Sequence, residues 1–128
     1  MAWAEPLYER FGGMEAVARL VFAFYDRILR SKQLKPHFDG VDMRRLIDHQ
    51  TKFLASVMGG PPSHTNAEIR KAHAHLRIDH EAFDEMIDIL DETLRTFGLA
   101  EGDMSLILSD VRSRRAQIVS PAKIDAKP

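Results

Sequence analysis

Apolar residues recur at intervals of three and four along most of the chain, a spacing that predicts helices and leaves no strand pattern. Leu7 to Phe11 reads as a brief helical turn stopped by Gly12 and Gly13. A second helix runs from Met14 to Arg30, with Met14, Val17, Leu20, Val21, Phe24 and Ile28 on one face and Tyr25 near its centre. Residues 32–39 contain Pro36 and predict a turn or a one-turn helix anchored by Phe38. Asp42 then caps a third helix whose apolar face holds Met43, Leu46, Ile47, Phe53, Leu54, Val57 and Met58. Gly59, Gly60, Pro61 and Pro62 end it. Thr65 and Glu68 form a capping box for a short helix with the stripe Ile69, Ala72, Leu76. Asp79 caps a fifth, with Phe83, Met86, Ile87, Leu90, Leu94 and Phe97 on its face and Gly98 as its stop. The last starts at Gly102 and Asp103 and carries Met104, Ile107, Leu108, Val111, Arg115 and Ile118. The expectation is an all-α single domain over residues 7–119, with an N-terminal extension at 1–6 and a flexible polar tail at 120–128.

Three polar side chains interrupt these faces. His73 falls in the stripe of its helix, four residues after Ile69 and three before Leu76, while His75 points to the other side. Tyr25 and Gln50 interrupt the second and third helices, and His49 sits one step round on the flank. Each has an ordinary reading: a hydrogen-bonded core histidine, a boundary tyrosine whose oxygen reaches water, a glutamine paired with another buried polar group. Burying them without partners costs about 1–3 kcal/mol each. An all-α core that sets one nitrogen ligand opposite two hydrogen-bond donors, with no other ligand set, also has the makings of a haem pocket. In that arrangement His73 binds the iron, and Tyr25 and Gln50 face a diatomic gas across the ring.

Composition narrows the alternatives. The chain has 128 residues, 45% hydrophobic and 29% charged, in the range of an ordinary globular domain. With 18 basic and 19 acidic residues its net charge is −1, which leaves no electrostatic footprint for nucleic acid or an anionic membrane. No apolar run approaches the 18 or so residues of a membrane span, and the first residues do not read as a secretory signal. The absence of cysteine excludes disulfides, iron–sulfur clusters, thiolate catalysis and haem attached through a C-x-x-C-H motif. A reducing cytoplasm is the default compartment.

Longer stretches carry a resemblance. Leu7-Tyr-Glu-Arg-Phe-Gly-Gly13, Phe24-Tyr25, His37-Phe-Asp-Gly-Val-Asp-Met43, His49-Gln50, Gly59-Gly-Pro61 and Lys71-Ala-His73 follow one another at the spacings of a truncated haemoglobin. The chain is most similar to the first group of these, and Phe83, ten residues after His73, also fits. The likeness covers residues 7–119. It implies a shortened globin, two helices over two around haem b, with His73 as the proximal ligand and Tyr25 and Gln50 as the distal pair. Leu46 takes the place where vertebrate globins carry a distal histidine, and Phe38 stacks on the porphyrin. Phe53, Leu54, Leu76, Ile78 and Phe83 complete the expected cofactor contacts, and Arg77 is a candidate partner for a propionate. The group with a tryptophan deep in the pocket is disfavoured, because the only tryptophan is Trp3.

The resemblance implies reversible binding of O₂, and of CO and NO, with nitric oxide dioxygenation or O₂ storage and transport as the outcome. Dioxygenation needs an electron donor that the sequence does not identify. His49 leaves a second haem reading: some relatives use a histidine there as a sixth iron ligand, which would suit redox chemistry or gas sensing. A third reading, from another class, is a cofactor-free helical interaction module in which His73, Tyr25 and Gln50 bond to one another. Zinc at His73 and His75 is weaker still, since their directions diverge and no third ligand is evident. His37, His64, His75 and His80 are expected on surfaces or in turns.

Overall fold

In the computed structural model, residues 5–62 and 76–119 are described. Their helices are α1 (Leu7–Phe11), α2 (Gly13–Ile28), α3 (Met43–Val57), α4 (His80–Thr96), α5 (Glu101–Arg112) and α6 (Arg115–Ile118). A 3₁₀ turn, Lys35–Phe38, lies between α2 and α3. Among the described residues there is no strand, and no helix is long and apolar enough to cross a membrane. The helix expected over residues 65–76, with His73, His75 and the Thr65/Glu68 capping box, lies outside the described residues except for its last residue, and His64 lies outside them too.

Local chemistry sets the ends of these elements. The Asp42 carboxylate accepts the backbone N–H of Arg45 at 3.3 Å, and Asp79 accepts that of Ala82 at 2.7 Å, so both expected caps form. The second helix stops two residues earlier than its periodicity predicts. There the Ser31 hydroxyl donates to Glu85 at 2.6 Å and accepts the Leu34 N–H at 3.1 Å, which draws the chain into the 3₁₀ turn. The last helix is also not continuous. It breaks at Ser113 and Arg114, where the Ser113 hydroxyl donates to the Asp110 carbonyl at 2.5 Å and competes with the helical ladder.

Packing joins α2 to α3 and to α4, α1 to α2, and α4 to α5. The core they share is built from the predicted stripes: Val17, Leu20 and Ile28 of α2, Phe53 and Leu54 of α3, Phe83 and Leu94 of α4, and Met104 and Ile107 of α5. A bidentate contact from Arg10 to Asp103, 3.2 Å on each arm, ties α1 to α5 at the surface. The two glycine pairs meet across α1. Gly12 turns the chain at φ 122°, and the Tyr8 N–H donates to the Met58 carbonyl at 2.8 Å, which lays α1 on the end of α3.

Gly60 is the tightest point of that contact. A β-carbon there would stand 2.7 Å from the Tyr8 ring and 2.9 Å from the Ala55 carbonyl oxygen, closer than side chains approach. Gly60→Ala should therefore destabilise the protein by about 1–3 kcal/mol in urea unfolding. Gly102→Ala, whose new carbon meets nothing within 4 Å, should not.

Candidate functional site

Tyr25 lies in the last turn of α2 and is 3% exposed. Two rings hold it edge-on: Phe24 with centroids 4.9 Å apart and Phe38 at 5.9 Å. No hydrogen bond reaches its hydroxyl from the described residues. Burial alone raises its pKa far above the ordinary 10.0, so the phenol stays neutral and available as a donor. A hydroxyl buried in this way costs about 1–3 kcal/mol unless something bonds to it.

The Tyr25 ring borders a chamber of about 70 Å³, room for a diatomic gas. Leu20, Val21 and Phe24 of α2 and Phe53 and Leu54 of α3 form part of its wall. Phe83, Met86, Ile87 and Leu90 of α4 form another part, and Val111 and Ile118 close the end. Against these apolar residues stand two polar ones, Tyr25 and Gln50. The glutamine that breaks the face of α3 and the tyrosine that breaks the face of α2 thus line the same space.

A wider cleft of about 460 Å³ lies along α3, bounded by Leu46, His49, Leu76, Arg45 and residues of the 39–42 turn. His49 belongs to this cleft and not to the chamber lining. Phe38 is buried and meets the Tyr25 ring without itself lining the chamber. Ile78 is fully buried in the core, while Arg77 is exposed and takes a left-handed backbone at φ 55°. His73, with Ile69 and Ala72 of its stripe, lies outside the described residues.

Several wall residues escaped the sequence reading. Met86, Ile87, Leu90, Val111 and Ile118 were legible as helix faces, but a stripe does not say whether it meets protein or a cavity. The break between α5 and α6 has a role here. Arg114 bonds to Asp110 at 3.0 Å and its guanidinium lies 5.3 Å over the Phe53 ring. Arg115 bonds to Asp84 at 2.6 Å, stands 3.1 Å from His80 Nδ1, and lies 4.5 Å over Phe83. Two consecutive arginines therefore cover two rings of the chamber wall. His37, expected on a surface or in a turn, lies in the 3₁₀ turn, is half-buried, and its Nδ1 donates to the Leu76 carbonyl at 2.9 Å.

An all-helical sandwich enclosing an apolar chamber with two inward-facing donors is the architecture of a small globin. A family profile of bacterial-like globins matches residues 6–120. The chain is 33% identical over 119 residues to a group 1 truncated haemoglobin of Mycolicibacterium paratuberculosis, covering 91% of this chain and 88% of that one. It is 36% identical over 99 residues to one from Synechocystis, covering 74% and 80%. The structure of a truncated haemoglobin from Tetrahymena pyriformis superposes with a TM-score of 0.80 at 26% identity, over 91% of this chain and all of the other. A 2/2 haemoglobin from Synechococcus gives 0.81 at 25% identity, over 90% and 98%. The chain belongs to the bacterial-like globins and, among them, to the group 1 truncated haemoglobins, whose fold is the two-over-two helical sandwich.

Haem b is the cofactor that goes with this family. The described residues fit it: apolar walls from five helices, and a buried hydroxyl that lacks a partner among those residues and shares its space with an amide.

The raised pKa of Tyr25 has a consequence at high pH. The unfolded chain releases the phenol proton near 10.0, whereas the folded chain retains it, so folding stability falls as pH rises beyond that value. The loss amounts to at most about 1.4 kcal/mol per pH unit for one proton. Urea unfolding of the haem-free protein at pH 9 and pH 11 should show a steeper decline in the wild type than in Tyr25→Phe.

Proposed function

We propose that the protein binds haem b through His73 and uses Tyr25 and Gln50 to hold O₂ on the opposite side. The observation that carries this reading is the pairing of those two polar groups in a chamber whose other described lining residues are apolar. Bound haem supplies an iron that takes up O₂, NO or CO, and with an electron donor it supports conversion of NO and O₂ to nitrate.

The chain contributes position and hydrogen bonds. The neutral Tyr25 hydroxyl donates to the gas, its direction set by the Phe24 and Phe38 rings. The Gln50 amide supplies a second donor from α3. Donors within roughly 2.6–3.2 Å of an oxygen that carries negative charge contribute about 1.5–3 kcal/mol each. The apolar walls exclude water, which would compete for those donors. In this reading Phe38, Leu46, Phe53, Leu54, Leu76, Ile78 and Phe83 hold the faces of the macrocycle, and exposed Arg77 reaches a propionate. His49, which borders the cleft and not the chamber, lies in this reading beside the haem without ligating its iron; a low-spin ferrous spectrum would contradict that.

Purified protein supplied with haem should show a Soret band that His73→Gly abolishes. A colourless wild type would leave the cofactor-free helical module as the reading. Tyr25→Phe should release O₂ at least ten times faster in stopped-flow displacement by CO, while an unchanged off-rate would place the phenol outside the gas site.

A further inference from the structure

We propose that His37 is a positioning residue for the haem slot, tying the short helix that carries Phe38 to the turn that follows His73. The inference rests on the haem-binding reading above. Its basis is a single long-range bond: His37 Nδ1 lies 2.9 Å from the carbonyl oxygen of Leu76, 39 residues away in sequence. A carbonyl only accepts, so Nδ1 carries the proton, and in the neutral ring Nε2 is left as the acceptor.

The turn reached by this bond is held from several directions. The Leu76 side chain is buried at the cleft beside Leu46 and His49. Arg77 is left-handed at φ 55°, a conformation that a β-carbon disfavours and that persists where the surroundings over-determine it. Ile78 is fully buried, and Asp79 caps α4. Those last two restraints fix the turn to the α4 side. The His37 bond adds a restraint from the opposite side, since its neighbour Phe38 meets the Tyr25 ring edge-on at 5.9 Å.

Two walls of the pocket are thereby linked. His73 precedes Leu76 by three residues, at most about 11 Å of extended chain, so pinning the Leu76 carbonyl limits where the imidazole of His73 can stand. The same bond steadies the corner against which Tyr25 rests. Without it the two sides are joined more loosely, and the grip on haem weakens.

The test compares haem-loaded wild type with His37→Phe, which keeps a ring but loses the donor, and His37→Asn, whose amide N–H stands near the Nδ1 position. Haem transfer to excess haem-free myoglobin should be about three to ten times faster in His37→Phe, the range one part-buried hydrogen bond supports, and within about twofold of wild type in His37→Asn. Nitrogen-15 spectra of the histidines in the diamagnetic carbon monoxide form, assigned by their change in His37→Asn, should show His37 protonated at Nδ1. Unchanged transfer in His37→Phe, transfer in His37→Asn as fast as in His37→Phe, or a proton on Nε2 alone would each overturn the proposal. Should His37→Phe fail to fold, the tautomer and the His37→Asn rate still decide it. A wild type without a Soret band would overturn the haem reading itself, and the tie with it; a Soret band with unchanged transfer rates would overturn only the tie.

Discussion

A phenol hydroxyl in the last turn of α2, shut away from water and with no hydrogen bond from the described residues, is the constraint around which this protein is arranged. A phenylalanine at position 25 would fill nearly the same volume without a polar atom to satisfy. Keeping the oxygen there costs about 1–3 kcal/mol unless a partner arrives. The surroundings hold that group ready: burial keeps it protonated, two aromatic rings fix its direction, and Gln50 faces the same chamber from α3. Membership of the truncated haemoglobins supplies a cofactor, haem b, for a chamber whose buried hydroxyl finds no partner among the described residues.

The remaining architecture shapes the space in front of that hydroxyl. Gly12 turns the chain from α1 into α2, and the missing side chain at Gly60 lets the Tyr8 ring of α1 rest on the end of α3. The break after α5 turns Ile118 toward the chamber and sets Arg114 and Arg115 over Phe53 and Phe83. Their charges are balanced by Asp110 and Asp84, so the cations can cover aromatic rings without being left unpaired. A short helical fold thereby closes an apolar cavity with surface residues where a longer globin would have more chain to use.

The two sides of the pocket are built differently. The side that carries Tyr25 and Gln50 is a continuous assembly of α2, the 3₁₀ turn and α3, each with its own caps or ring contacts. On the other side Leu76 and Arg77 form a turn with Arg77 left-handed, secured by buried neighbours and by the His37 imidazole from the Phe38 corner. Holding a cofactor between such walls asks for a restraint that crosses from one to the other, and His37 is placed to supply it.

Local patterning was sufficient for much of this. The apolar spacing determined the all-α class and the stripes that became the core, and Asp42 and Asp79 marked the starts of α3 and α4, because caps and amphipathic periods are properties of neighbouring residues. Tyr25 and Gln50 stood out as polar breaks in apolar faces, and the order of short motifs pointed to the family. What tertiary structure alone decided was which breaks meet. Whether Tyr25 and Gln50 share a chamber depends on how α2 crosses α3, and whether Met86 or Val111 borders protein or space depends on the helix opposite. His37 was expected on a surface or in a turn and does lie in the 3₁₀ turn, but its bond stayed hidden because the partner is a backbone carbonyl, which every residue possesses and no side-chain pattern reveals. The break at Ser113 and Arg114 was hidden for a related reason: the periodicity continues through it, while the rings and carboxylates that draw Arg114 and Arg115 aside come in part from α3 and α4.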